Sequence, residues 1–497
     1  MADIELASRL AGGMLGLLVG DALGVPYEFR PPGAIRTVEF RGHGSHGQPA
    51  GTWSDDGALA LALADSLLPA TGTTDPRAVQ FDPDDQGRRF VAWWRGAAYT
   101  PDGDRPFDVG GTTLAAIRTL EAGRPAFDAG PADERACGNG SLMRILPLAL
   151  AERGLDDATA VEHAHLASRV THGHPRCQVA CALYVLVARR LLRGDEPGPA
   201  LASARATLRS RYVGDPTGTA HRTALDELEA WAPRSGRGFV LDSFWSAWDA
   251  FAGAPDFASA VERAIHFGND TDTTAAIAGG LAGIRWGWDG IPLAWRRGMR
   301  GHATSQPIVD RLVATTGART SSGSPLRVDR IDLAGIEGLA GGSLGITFLP
   351  GKKREGHTGL HWRDLDLDVA SLRALGVDVL FLLVEDEELA WCRVPELPEV
   401  VPAAGTELVR FPIRDPRVPT DDAAFRAAVG DLVGRLRAGA SVAIACRGGI
   451  DRSGMAAACV LVSAGLDLGD AIDRVHAARR GSLTYPEQLA YVRAWGR

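Results

Sequence analysis

The chain has 497 residues, 45% of them hydrophobic and 23% charged, a globular composition that excludes a disordered or collagen-like polymer. That length exceeds one domain of roughly 100–200 residues, and the net charge of −8 excludes a global basic field for nucleic acid or anionic membrane. Of the 53 basic residues only Lys352 and Lys353 are lysines; the arginine excess reads as codon bias of a GC-rich genome rather than as a phosphate-binding surface.

Apolar residues recur at three- and four-residue spacing through 5–19, 57–68, 112–121, 141–152, 159–170, 177–193, 258–265 and 274–286. Gly-, Pro- and Asp-rich stretches at 30–51, 71–87 and 101–111 interrupt them. The pattern predicts an all-α domain over 1–318 whose loops carry the polar chemistry. Thr315–Pro325 is small, polar and breaker-rich, and 319–325 reads as a linker. Beyond it, Gly345–Leu349, Val377–Val384, Glu407–Phe411 and Ser441–Ala445 read as short buried strands. Helical patterns at 365–375, 422–438, 454–465 and 468–480 alternate with them, so 326–497 is expected to be an α/β domain with a parallel-rich sheet. The fold class is thus multidomain, all-α followed by α/β.

No apolar run reaches the roughly 18 residues of a membrane helix. The run Ala11–Gly20 is preceded by Asp3 and Glu5, where a secretory signal carries positive charge, so no membrane insertion and a cytoplasmic location are expected. Six cysteines without a CxxC pair form no disulfide framework.

Three acidic motifs sit at loop–helix junctions: Gly20-Asp21-Ala22-Leu23-Gly24-Val25-Pro26-Tyr27-Glu28, Thr52-Trp53-Ser54-Asp55-Asp56-Gly57, and Gly268-Asn269-Asp270-Thr271-Asp272-Thr273-Thr274. Any one alone reads as a helix N-cap, worth roughly 1 kcal/mol. Together their oxygens suit hard divalent cations such as Mg²⁺. Converging carboxylates would repel by on the order of 4 kcal/mol per pair at about 4 Å and an effective dielectric near 20, a cost cations remove.

These motifs, in this order, resemble the signatures of the ADP-ribosylglycohydrolase family. Cys137-Gly138-Asn139-Gly140-Ser141-Leu142-Met143-Arg144 and Thr171-His172-Gly173-His174-Pro175 resemble two further segments of it, and the likeness covers nearly all of 1–318. The resemblance implies a two-Mg²⁺ site held by Ser54, Asp55, Asp56, Asp270, Asp272 and Thr273, with Glu28 near the scissile bond. It implies ADP-ribose contacts from Gly110, Gly111, Thr112 and Thr113 and from Gly138, Asn139, Gly140 and Ser141. Gly57 departs from the family's usual Thr. Cleavage at the ribose C1″ builds oxocarbenium character, metals orient ribose hydroxyls and a water, and Glu28 or Asp55 accepts the water's proton. His172 and His174 read either as substrate contacts or as helix-end and core residues.

The second constellation is Cys446-Arg447-Gly448-Gly449-Ile450-Asp451-Arg452-Ser453-Gly454, running from an apolar strand into an Ala-rich helix. A glycine loop at a helix N-terminus presents amides and a positive dipole end to an anion. The same setting, with arginine nearby, lowers a thiol pKa to roughly 3.5–7.5. Arg452 offers a planar fork to two phosphate oxygens. A buried structural Cys is the bland alternative, and it leaves the glycines and the Arg-Ser pair without a purpose.

This loop resembles the cysteine-dependent protein phosphatases, and within them the cyclin-dependent-kinase-associated dual-specificity phosphatases, over roughly 342–497. Gly342–Lys353, Arg410–Pro419 and Ala471–Tyr491 carry the rest of the likeness. It implies Cys446 as nucleophile, Arg452 as phosphate ligand, Asp415 as general acid and base, Ser453 as stabiliser of the leaving thiolate, and Arg447, Gly448, Gly449, Ile450 and Asp451 around the phosphate, with no cofactor. Ala445 departs from the family's His, and Asp451 is an alternative acid. The expectation is a bifunctional hydrolase acting on ADP-ribosylated protein, nucleic acid or small molecule and on phosphorylated protein or small phosphomonoester. The alternatives are one phosphorylated ADP-ribose metabolite or nucleic-acid end serving both domains, or one domain kept as a non-catalytic sensor.

Overall fold

The computed structural model describes residues 3–70, 75, 78–213, 218–356 and 358–495. It divides into two compact units, Met1–Gly317 and Ala318–Arg497.

Among its described residues the first unit is helical apart from an isolated bridge between Gly138 and Phe239. Its opening helix, Asp3–Gly24, and the helix Thr271–Gly290 form its central pair. Contrary to the sequence reading, Asp3–Tyr27 is long and apolar enough to cross a membrane by composition; 94% of its apolar window is buried within the fold, and it is a core helix here.

The two helices touch backbone to backbone. A Cβ on Gly12, Gly16 or Gly20 would lie 2.4, 2.4 and 2.1 Å from the carbonyl oxygens of Gly283, Gly279 and Ala275. These glycines recur every fourth residue, on one helix face. The stripe continues to Gly24, whose Cβ would meet the Asp272 Cα at 2.4 Å. Glycine thereby lets the end of one helix reach the start of the other. Gly20→Val is expected to lower the first unit's thermal transition, read by calorimetry, through overpacking of about 1–3 kcal/mol or more. Gly96→Ala, at a position where a Cβ meets nothing within 4 Å, is the control and should leave that transition in place.

Several helices depart from the sequence reading. Pro83–Gly96 forms where a loop over 71–87 was expected, opened by the Asp82 cap and Pro83 (residues 71–74, 76 and 77 of that stretch lie outside the described residues). The helix expected over 141–152 is confined to Leu146–Ala151, because Ser141–Arg144 is a turn.

In the second unit a five-stranded sheet runs in the order β2 (Asp329–Ile331), β3 (Ser343–Phe348), β8 (Ser441–Cys446), β6 (Val379–Leu382), β7 (Glu407–Arg410). Only β2 is antiparallel. Val442, Ile444 and Cys446 of β8 face the layer containing the helices Asp422–Arg437 and Asp451–Ser463, whereas Ala443 and Ala445 face the opposite core. Period-two alternation therefore turns Ala445 away from the face that presents Cys446. Residues 319–325, expected as a linker, include β1 (Arg319–Thr320), which pairs with β5 (Gly359–Trp362) of a smaller sheet completed by β4 (Lys353–Gly356). Ser321 there is buried and donates to Asp368 at 2.8 Å.

Candidate active sites

In the first unit the helix contact brings the three acidic motifs together. Asp21, at the end of the opening helix, accepts from the amides of Ser54 (2.9 and 3.0 Å) and Gly57 (2.8 Å) and so fixes the start of the helix Asp55–Leu67. Ser54 caps that helix, its Oγ accepting from the Asp56 amide at 3.2 Å. Asp56 Oδ2 accepts from Ser54 Oγ at 3.1 Å and from Thr273 Oγ1 at 3.2 Å, which joins the second motif to the third. Asp272 Oδ1 accepts from the Thr273 amide at 3.0 Å, and Asp270 Oδ2 accepts from Asn139 Nδ2 at 2.8 Å. Glu28, Asp270 and Asp272 each offer an oxygen within 4.8 Å of the others.

Burial and mutual repulsion push these acids up. Burial raises Asp21 to about 7 against its own hydrogen bonds. It raises Glu28 to about 8, opposed by the hydrogen bond from His46. Asp55, Asp56 and Asp272 are raised well above the ordinary carboxylate range by burial and then by neighbouring carboxylates. Among the described residues, Asp56 Oδ1 and Asp272 Oδ2 are buried with no hydrogen-bond donor. Buried, unpaired carboxylate oxygens facing other carboxylates are the donor set of a hard divalent cation.

Two members of this cluster escaped the sequence reading. His46 contacts the Glu28 carboxylate and stands 3.6 Å from Asp108, and its own pKa is raised chiefly by Glu28. Asp108 has positive φ (63°) two residues before Gly110, a conformation that marks a specialised position. Its place beside the Gly110-Gly111 pair was the available signal.

The remaining predicted residues surround the cluster. Gly110 and Gly111 are exposed at the start of the helix Gly111–Glu121, which has no side-chain cap, so its amides are open to an anion such as a pyrophosphate. Thr112 is half-buried and Thr113 buried beside them. Gly138–Ser141 forms the turn that carries Asn139. His172 packs beneath it, where a Cβ on Gly140 would lie 2.8 Å from the imidazole. Burial holds His172 neutral, at about 3, and Thr171 Oγ1 lies 2.8 Å from its Nδ1. His174 caps the helix Pro175–Arg193, its Nδ1 accepting from the Arg176 amide at 3.1 Å.

In the second unit Cys446 ends the central strand β8, buried, level with Phe348 of β3. The loop turns on Gly449 (φ 62°), where a Cβ would meet the Thr347 carbonyl oxygen at 2.4 Å. Its carbonyls point to cations outside the loop: Arg479 donates to Gly449 O (3.0 Å) and Gly448 O (3.2 Å), and Lys352 to Arg447 O (3.2 Å). Among the described residues no protein acceptor takes the amides of Gly448, Gly449 or Ile450. Ser453 Oγ is buried without a partner among those residues.

Arg452 is 1% exposed and held on three sides. It donates to both Glu388 oxygens (2.6 and 2.8 Å) and to Ile413 O (2.7 Å), and its Nε faces Asp415 at 3.3 Å. Arg447 pairs with Asp415 at 2.8 Å. The expected general acid is therefore gathered at the loop by two arginines. Asp451 accepts from the amide and hydroxyl of Thr484, both at 2.8 Å, and so anchors the segment after the helix Leu468–Ala478. Glu388 and Lys352 were not foreseen. Glu388 also closes a capping box at Glu385, at the Glu-rich start of the helix Asp386–Trp391, a segment the sequence reading did not single out. Lys352 is buried and its ammonium reaches the Arg447 carbonyl oxygen next to Cys446, which places a cation beside the loop where Ala445 supplies none.

An all-helical unit built on clustered carboxylates, followed by an α/β unit presenting a cysteine loop at a strand end, defines a hydrolase of two domains. The chain belongs to the ADP-ribosylglycohydrolase family, whose model matches residues 2–321, and residues 321–477 match the model described as cyclin-dependent kinase inhibitor 3. Over 291 residues it is 30% identical to the ADP-ribosylarginine hydrolase Tri1 of Pseudomonas putida, covering 59% of this chain and 74% of that protein. It is also 30% identical to the ADP-ribosyl-[dinitrogen reductase] glycohydrolase of Rhodospirillum rubrum, covering 64% of this chain and 99% of that one. A solved ADP-ribosylglycohydrolase-related protein is 31% identical with a TM-score of 0.50, covering 63% of this chain and 98% of that one. A solved kinase associated phosphatase is 25% identical over 34% of this chain and 93% of its own, with a TM-score of 0.31.

Proposed function

We propose that the first unit hydrolyses the C1″ glycosidic bond of ADP-ribosylated substrates with two Mg²⁺ ions, and that the second hydrolyses phosphomonoesters through a phosphocysteine. The observation that carries the first reading is the convergence of Asp56 and Asp272, each with a buried oxygen lacking a donor. Ser54, Asp55, Asp56, Asp270, Asp272 and Thr273 hold the ions, with Glu28 beside them. Bound Mg²⁺ orients ribose hydroxyls and makes a water acidic. Glu28, oriented by His46, accepts the proton as the water oxygen bonds to C1″ and the C1″–leaving-group bond breaks. The uncapped start of Gly111–Glu121 holds the pyrophosphate.

The named activity of the Pseudomonas relative makes ADP-ribosylarginine the first substrate to test. The full chain is expected to release ADP-ribose from it with Mg²⁺ and to stop on EDTA, followed by chromatography of the product. Release that persists in EDTA counts against the two-metal reading.

In the second unit the Cys446 thiolate attacks phosphorus, and Asp415 protonates the leaving oxygen as the P–O bond breaks. Asp415 then takes a proton from water, whose oxygen bonds to phosphorus as the S–P bond breaks, and Ser453 donates to the departing thiolate. Arg452, kept in place by Glu388, and the free amides of the loop hold the equatorial oxygens.

A further inference from the structure

Beside the cysteine loop lies a cleft of about 780 Å³, within the range of small-molecule sites. Among the described residues, eight cationic side chains and two carboxylates, Asp329 and Glu355, line it. That composition is opposite to the chain's net charge of −8. Seven of the chain's arginines are gathered along it.

Three of the eight cations are already matched. Arg363 pairs with Asp368 (2.6 Å), Arg479 with Asp329 (2.5 Å) and Arg447 with Asp415 (2.8 Å). The other five, Arg319, Arg327, Lys352, Arg354 and Arg480, have no carboxylate in ion-pair reach among the described residues. Lys352 is only 6% exposed, with its ammonium 4.7 Å from the Phe348 ring centre. Burial lowers it to about 8; the thiols of Cys392 and Cys446 oppose that shift and the nearby Arg363 and Arg479 charges add to it. Arg354 lies 3.5 Å over the Trp391 ring, a platform that leaves its donors directed by stacking rather than by a counter-ion. Arg447, Gly448 and Ile450 belong to both the cleft and the cysteine loop. A phosphate on the loop therefore has this unneutralised surface as its immediate neighbour.

We propose that the cleft is a second anion subsite, and that the second unit acts on a compact molecule carrying a further phosphate beside the phosphomonoester it cleaves. This rests on the phosphatase reading above. An acidic phosphopeptide offers negative charge too, but the cleft is ligand-sized and its floor cation is buried, which suits a small phosphate rather than carboxylates spaced along an extended chain. The shared chemistry is met by nucleoside bisphosphates and by inositol phosphates, so both serve as probes.

The test is calorimetric titration of the full chain carrying Cys446→Ser with adenosine 3′,5′-bisphosphate, inositol 1,4,5-trisphosphate, inorganic phosphate and an acidic phosphothreonine peptide. At least one multiply phosphorylated probe is expected to bind about tenfold or more tighter than inorganic phosphate and than the peptide, as added charge-assisted bonds require. Which scaffold binds tighter identifies the source. Adding Arg327→Gln and Arg354→Gln should bring that probe back to the affinity of inorganic phosphate. Equal affinity of all probes, preference for the peptide, or no response to the double variant overturns the proposal. Hydrolysis of an aryl phosphate by the wild-type chain is followed separately. If it fails while the affinity difference stands, the phosphocysteine reading falls and the anion subsite remains.

Discussion

Cys446→Ser is expected to reduce phosphate release from an aryl phosphate by at least about a thousandfold, as loss of a covalent nucleophile does. Serine keeps the size of the side chain. The loop's geometry is set elsewhere, by Arg479 and Lys352 on its carbonyls and by Gly449 at its turn. The loss would therefore be chemical, and the variant should still bind phosphate. Asp415→Asn separates the roles further. Its cost should be small for a nitrophenyl ester, whose leaving oxygen needs no proton, and about 10²–10⁴-fold for an alkyl ester, which does. Steady-state kinetics on the two esters measures this. Equal rates for wild type and Cys446→Ser would remove the nucleophile assignment.

The second large effect joins activity to stability. Asp272→Asn should abolish release of ADP-ribose, yet in EDTA at pH 8 it should raise the first unit's thermal transition above that of wild type. The sign follows from the raised acids. Asp21 goes from 3.8 to about 7 and Glu28 from 4.5 to about 8, so between pH 4 and 8 the folded state holds more protons than the unfolded state. Stability without cation then falls as pH rises through that window. Removing one buried carboxylate relieves part of the repulsion, and the gain should shrink toward pH 5, where the wild-type cluster is protonated. Added Mg²⁺ should stabilise wild type more than the variant, by selective binding to the folded site. A variant that is less stable than wild type in EDTA at both pH values would refute the account of buried, mutually repelling carboxylates.

Much of this was legible in the chain itself. Ser54-Asp55-Asp56 and Asp270-x-Asp272 are strings of hard ligands at helix starts, and a Cys, two glycines and an Arg-Ser pair between strand and helix are the parts of an anion loop. Each is a local pattern of side-chain type and spacing, which a sequence displays directly. The boundary was less legible, because Arg319–Thr320 is a strand only by pairing with Gly359–Trp362, some forty residues further on. The same limit hid Glu388, whose only local signature is a capping box.

By itself, then, the sequence determined which atoms are available: carboxylates for cations, a thiol and an arginine for phosphate, and helices apolar enough to bury their neighbours. Tertiary structure decided what those atoms experience. Glycines at every fourth position bring two helices more than 240 residues apart into backbone contact, and that contact places Asp56 against Thr273 and leaves oxygens of Asp56 and Asp272 without donors. Folding likewise gathers arginines from distant segments into a basic cleft in a chain of net charge −8. Burial and Coulomb interaction depend on distance through space, not along the chain, so neither the raised acids nor the unneutralised cleft exists until the fold does.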